Sequence, residues 1–151
     1  MGRVRRRHTI DKICVDTSIF INAKNESERG SSASKSLLKS IAAGRIQGVF
    51  ATITLAELLN GAYRVGREEA EKVKSSFEAL RSAGSLVIGF DESLADMIGS
   101  LCAKHNTKIK PDVIIVASAL KGEARAIATR NVRDFRMYQD DISIIQPEHI
   151  R

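Results

Sequence analysis

The run Ile13-Cys14-Val15-Asp16-Thr17-Ser18-Ile19-Phe20-Ile21 is apolar except at its centre, where an aspartate and two hydroxyls interrupt it. Cys14 and Val15 suit a buried strand, and Ile19 to Ile21 suit the start of a buried helix. A carboxylate between two buried segments is costly to desolvate unless it is paired, hydrogen-bonded or bound to metal. Asp16 is therefore expected at the carboxyl end of a first strand, where open α/β sheets bind their ligands.

The remainder of the chain alternates strand and helix signals. Lys12 to Val15 reads as strand one. Residues 24 to 34 form a polar loop with Gly and Ser punctuation, and a helix follows to about Ala43 with Gly44 placed to end it. Ile46 to Thr52 reads as strand two, Thr54 to Arg64 and Arg67 to Ser82 as helices, and Leu86 to Phe90 as strand three. Asp91 or Ser93 caps a helix to about His105. Pro111 opens another at its favoured first position, running to Gly122. Ala126 to Thr129 and Ile142 to Ile145 are strands four and five. Such alternation implies a parallel sheet with right-handed crossovers, in a three-layer α/β/α sandwich.

Three further acids fall just past a strand or at the start of a helix. Glu57 follows Thr54 by three residues, so it could simply complete a capping box. Asp112 lies in the first turn after Pro111, where an acid favours the helix dipole. Yet its helix, Val113-Ile114-Ile115-Val116-Ala117, is apolar nearly all round and should be buried, which directs its N-terminus at the interior or a cleft. Asp134 could sit at the third position of a short helix capped by Asn131. Asp96 could be an accessory acid, although Ser93 and Asp96 make another capping box. Taken together, Asp16, Glu57, Asp112 and Asp134 would emerge at one edge of the sheet. Carboxylates gathered there repel one another unless a cation binds among them. Oxygen donors without Cys or His favour Mg²⁺ or Mn²⁺, ions commonly shared with substrate phosphate. Phosphodiester hydrolysis is the chemistry that follows.

These motifs resemble the PIN-domain family, and specifically the VapC-type ribonuclease toxins of prokaryotic toxin–antitoxin pairs. The matching pieces are Val15-Asp16-Thr17-Ser18, Ala56-Glu57-Leu58, Pro111-Asp112-Val113-Ile114-Ile115-Val116-Ala117 and Thr129-Arg130-Asn131-Val132-Arg133-Asp134-Phe135, spread over residues 12 to 147. The resemblance implies a five-stranded sheet of order 3-2-1-4-5 and a Mg²⁺- or Mn²⁺-dependent nuclease leaving a 5′-phosphate and a 3′-hydroxyl. It implies Asp16, Glu57 and Asp112 as core acids. Its fourth acid aligns with Asn131 or Asp134, of which only Asp134 is a carboxylate. Thr17, Ser18, Thr129 and Asn131 become supporting polar groups. It further implies an RNA substrate, a VapB-type antitoxin and a homodimer. Three other readings stand beside it: a PIN-like module that binds RNA or protein without cleaving, a housekeeping RNA-processing PIN nuclease, and a phosphoacceptor receiver, which would need a second acid after strand one.

Charge and cysteine usage narrow the setting. The net charge is +6, but Arg3, Arg5, Arg6 and Arg7 supply four of those charges, and residues 8 to 151 carry 20 basic against 18 acidic residues. A flexible basic arm over residues 1–10, able to touch phosphates, and a single domain over residues 11–151 are expected. Lys108, Lys110, Arg130, Arg133 and Arg136 lie near the acids in sequence and could form a basic rim that draws RNA to them. Cys14 and Cys102 lack metal-ligand spacing and read as buried free thiols. No apolar run approaches a membrane span, and the N-terminus is too charged for a secretory leader, which together suggest a cytoplasmic protein.

Overall fold

Strands β1 (Lys12–Val15), β2 (Gln47–Ala51), β3 (Leu86–Ile88), β4 (Ala126–Ala128) and β5 (Ser143–Ile145) form one parallel sheet in the order β3-β2-β1-β4-β5. The computed structural model describes residues 10–150, so the basic arm falls almost wholly outside the described residues. The helices are α1 (Thr17–Lys24), α2 (Ser31–Ala42), α3 (Thr52–Val65), α4 (Arg67–Ser82), α5 (Glu92–His105), α6 (Pro111–Lys121) and the short α7 (Val132–Phe135). The chain works outward from β1 to β2 and β3, then crosses to β4 and β5. The switch point therefore lies at the carboxyl ends of β1 and β4.

The strands alternate between two cores, as a sheet covered on both faces must. Ile13 and Val15 of β1, Phe50 of β2, and Ala126 and Ala128 of β4 face one cluster with Ile19, Leu37, Ile41, Phe77 and Leu80. Cys14, Val49, Ala51 and Ile127 face the other, with α5, α6, Phe135 and Tyr138. Helix α6 has buried residues on several sides, from Val113 through Ala119, as its uniform apolarity anticipates. Lys121 at its end pairs with Asp91, the cap that opens α5, so α5 and α6 run antiparallel.

Element boundaries depart from the sequence reading where local chemistry was misassigned. Ser31 to Ser34, expected in a loop, form the first turn of α2. Helix α3 starts at Thr52, directly off β2, with Ala51 in the capping place and no side-chain cap bond. Thr54 is thus fully buried inside the helix, and the Thr54–Glu57 capping box does not form. Nor does the Ser93–Asp96 box. Asp91 caps α5 instead, its Oδ1 accepting from the Leu94 amide at 2.9 Å and the Ser93 hydroxyl at 3.0 Å. Asp96 lies on the exposed helix surface. Both cysteines are free, Cys14 buried and Cys102 partly so. No helix among the described residues is long and apolar enough to cross a membrane.

Candidate functional site

The site grows from the last rung of the β1–β4 ladder. Val15 pairs with Ala128, and the Asp16 amide then donates to the Ala128 carbonyl at 3.0 Å. One step further, the Asp16 carboxylate meets Thr129. Its Oδ2 accepts from the Ser18 hydroxyl at 2.6 Å and from the Thr129 hydroxyl at 2.8 Å. Asp16 is only 6% exposed. A buried carboxylate tolerates this because charge-assisted bonds of such length recover part of its lost hydration. Thr129 Oγ1 also accepts from the Asn131 amide at 2.9 Å, so the turn leading into α7 is tied to the same point.

Helix α1 opens directly after Asp16, which puts Thr17 on the side facing α3. Thr17 Oγ1 lies 3.2 Å from Thr54 Oγ1 and donates to Glu57 Oε1 at 3.0 Å. The buried Thr54 thus helps seat the residue that orients Glu57, a contact its capping motif in the sequence had concealed. Asp134 sits on α7, its amide bonded to the Asn131 carbonyl at 3.0 Å. The Asn131 side chain makes no cap bond, which leaves the capping explanation of that pair with its backbone half alone.

Asp112 registers the whole group electrostatically. Partial burial holds its carboxyl above the usual range, and the negative charges of Asp134, Asp16 and Glu57 push it higher still, against the pull of Lys110. The Asp112 carboxyl therefore feels the charge of the other three acids. Like charges held together favour protonation or a bound cation. The all-oxygen donor set with adjacent hydroxyls matches the chemistry of a hard divalent ion. Among the described residues, however, no three acid, His or Cys side chains are gathered closely enough to hold a metal as they stand. Glu57 is held by the Thr17 hydroxyl. By donor chemistry and field, the residues fit such an ion.

Of the basic residues near the acids in sequence, Lys110 acts on the Asp112 carboxyl. Lys108, Lys110, Arg133 and Arg136 are exposed, as a phosphate-facing rim requires. Arg130 is not. Its guanidinium turns inward onto Asn22, Ser34 and the Gly30 carbonyl, and it pairs with Glu148, with a side chain only 16% exposed. The expectation that Arg130 stands on the rim therefore does not match its placement. Asn22 and Ser34, both buried, went unremarked in the sequence. Their only signal was a lone asparagine closing the apolar run Ile19 to Ile21. Beside Glu57, between α1, α3 and α4, opens a cavity of about 670 Å³ lined by Phe20, Ile21, Leu58, Val65 and Phe77 among others.

A family model described as PIN domain matches residues 13–140. Several solved structures share the fold. A toxin–antitoxin complex from Klebsiella pneumoniae matches at 23% identity with a TM-score of 0.65, over 89% of this chain and 97% of that one. FitAcB from Neisseria gonorrhoeae matches at 22% identity with a TM-score of 0.63, over 91% and 99%. VapBC-1 from nontypeable Haemophilus influenzae matches at 22% identity with a TM-score of 0.60, over 91% and 98%. No curated protein matches in sequence.

Proposed function

The chain belongs to the PIN-domain family, and from that premise we propose that it is a Mg²⁺- or Mn²⁺-dependent endoribonuclease, the toxin of a VapBC-type toxin–antitoxin pair. The observation that carries this reading is the buried Asp16 carboxylate, fixed at the switch point by Ser18 and Thr129 with Glu57 tied to the adjacent Thr17; beside it, the negative charges of Asp134, Asp16 and Glu57 raise the Asp112 carboxyl. A domain with no use for a cation there gains nothing from that repulsion, which costs folding free energy at neutral pH.

Asp16, Glu57, Asp112 and Asp134 would hold the metal. When bound, a divalent ion supplies Lewis acidity toward the scissile phosphate and lowers the pKa of the attacking water. The chain's own residues do the rest. Ser18 and Thr129 fix the Asp16 carboxylate through its Oδ2, and Thr17 orients Glu57. Lys108 and Lys110, together with Arg133, would neutralise RNA phosphates approaching an otherwise repulsive centre. Asp134 is the carboxylate of the fourth position, and Asn131 serves it through the turn it shares with Thr129.

A VapB-type antitoxin is the proposed protein partner, and the solved complexes that share this fold support that assignment. The apolar cavity beside Glu57 would accept hydrophobic side chains of such a partner within reach of the acids. A homodimer and a cytoplasmic location belong to the same reading. The test is cleavage of total RNA by wild-type protein and by Asp112→Asn, each with Mn²⁺ and with EDTA. Cleavage by wild type in Mn²⁺ only, absent in the variant, is expected. Equal cleavage by the variant, or cleavage undiminished in EDTA, would overturn the assignment. No cleavage under any condition would favour the PIN-like binding module.

A further inference from the structure

Arg130 is the residue whose placement the nuclease reading does not absorb. It directly follows Thr129, whose hydroxyl donates to the Asp16 carboxylate, and precedes Asn131, so it occupies the junction between β4 and α7. Its charge would suit RNA, yet the fork points the other way. Nε donates to Asn22 Oδ1 at 3.0 Å and to Ser34 Oγ at 3.1 Å, and Nη2 donates to Ser34 Oγ at 3.0 Å and to the Gly30 carbonyl. Nη1 pairs with Glu148 at the C-terminal 3-10 turn Pro147–His149. One planar cation thereby ties β4 to α1, to the α1–α2 loop, to α2 and to the chain's last turn. Five N–H donors in a fixed plane can serve such scattered acceptors, whereas an ammonium at the end of a flexible stem cannot.

Two further features adapt the chain to this clamp. Gly30 has φ +83°, and a Cβ built there would lie 2.6 Å from the guanidinium carbon of Arg130. Only glycine both adopts that backbone and leaves room for the cation. Asn22 and Ser34 are 3% and 0% exposed, and Ser34 donates to Asn22 Oδ1 at 2.7 Å. These two buried polar side chains thus find their partners in the clamp. The same residue reaches the acids through its main chain. The Arg130 amide donates to Ser18 Oγ at 3.0 Å, and that hydroxyl donates onward to Asp16 Oδ2 at 2.6 Å.

We propose that Arg130 is a positioning residue: its guanidinium locks the β4–α7 junction onto α1 and α2, and through its own amide and Ser18 holds the Asp16 carboxylate in the orientation the site uses. The proposal rests on the nuclease reading for its consequence, but the clamp itself can be tested without metal or RNA. Ser18 is the partner one step from the Asp16 carboxylate; removing such a partner typically alters metal affinity about 10–100-fold, and Arg130, acting through Ser18, is expected at the lower end of that range.

The experiment compares wild type with Arg130→Met and Arg133→Met. It measures amide hydrogen exchange in metal-free protein, Mn²⁺ affinity by calorimetry, and kcat and KM for RNA cleavage. In Arg130→Met the amides of residues 130 and 131 should exchange about tenfold faster or more, local opening being set by the bonds that hold a segment, while Cys14 in β1 stays protected. Mn²⁺ should bind about tenfold more weakly, and kcat should fall with KM within about twofold of wild type. Arg133→Met should raise KM and leave exchange and Mn²⁺ affinity unchanged. Unchanged exchange at residues 130 and 131 would overturn the proposal. So would a rise in KM alone for Arg130→Met, which is what a phosphate contact produces. Should Arg130→Met not fold, Arg130→Lys carries the test. The positioning role expects the same loss because the fork is gone, and recovery to wild-type values by lysine would overturn it. If wild type neither binds Mn²⁺ nor cleaves RNA, the nuclease reading fails, and exchange at residues 130 and 131 still decides the clamp.

Discussion

Asp112 carries the conflict between stability and function at the scale of a single residue. Its carboxyl is held above the usual range by burial and then by Asp134, Asp16 and Glu57. An acid whose folded pKa is raised favours folding when protonated. That contribution is present below the unfolded pKa of about 3.9 and is lost as pH rises through the folded value. At neutral pH the charge therefore weakens the metal-free protein. Asp112→Asn should raise the melting temperature of metal-free protein at pH 7, by about 2–4 °C for each kcal/mol of repulsion removed. The gain should fade toward pH 3, where the wild-type carboxyl is also neutral. A variant melting below wild type at pH 7 would mean that Asp112 is satisfied locally and does not oppose its neighbours. Cys14, two residues before Asp16, also feels the Asp16 charge. Burial, then the Asp16 charge, pushes its thiol far up, leaving a core residue with no thiolate chemistry.

Among the elements, the junctions matter more than their interiors. The Asp16 interruption was legible because a carboxylate inside an apolar run admits few explanations, although α1 begins at Thr17, two residues before the start that the apolar run Ile19 to Ile21 suggested. The start of α3 was not legible. Thr54 and Glu57 have capping-box spacing, but Ala51 ends β2 and Thr52 begins the helix at once, a tertiary choice that local spacing cannot report. The two residues serve the site through Thr17 instead. The far end of α5 offers a separate test. Asp141 accepts from His105 Nε2 at 2.6 Å and from Lys104 Nζ, binding that helix to the segment before β5. Burial opposes the Asp141 charge, but Lys104 and His105 outweigh it and leave its pKa below the usual range. Such an acid stabilises the fold above its unfolded pKa, and the contribution disappears as pH falls through the lower folded value. Asp141→Asn should cost about 1–3 kcal/mol at pH 6, and its melting curve should converge on wild type as pH drops below about 4. A penalty that persists undiminished at pH 2 would assign the loss to shape and not to charge.

On the scale of the whole molecule, alternation of strand and helix was enough for a three-layer α/β/α class, whereas the strand order came from the family motifs. Nothing in periodicity distinguishes β3-β2-β1-β4-β5 from other doubly wound orders, since each strand is short and buried. The observed order is what places Asp16 and Thr129 side by side and brings α3 and α6 to the same edge. The strand-end positions of the acids were thus readable from the sequence, but not their spacing from one another: among the described residues no three stand close enough to hold a metal. The inward turn of Arg130 was not readable either, because a basic residue beside acidic motifs looks the same in sequence whether it faces phosphate or Asn22 and Ser34. The apolar cavity was also hidden, being made by three helices whose relative placement no local pattern specifies. Calorimetric titration of Mn²⁺ into wild type and Asp112→Asn tests most directly whether these acids form a divalent-ion site. Saturable binding to wild type, lost or weakened at least about tenfold in the variant, is the expected result; equal binding to both proteins, or none to wild type, would contradict it.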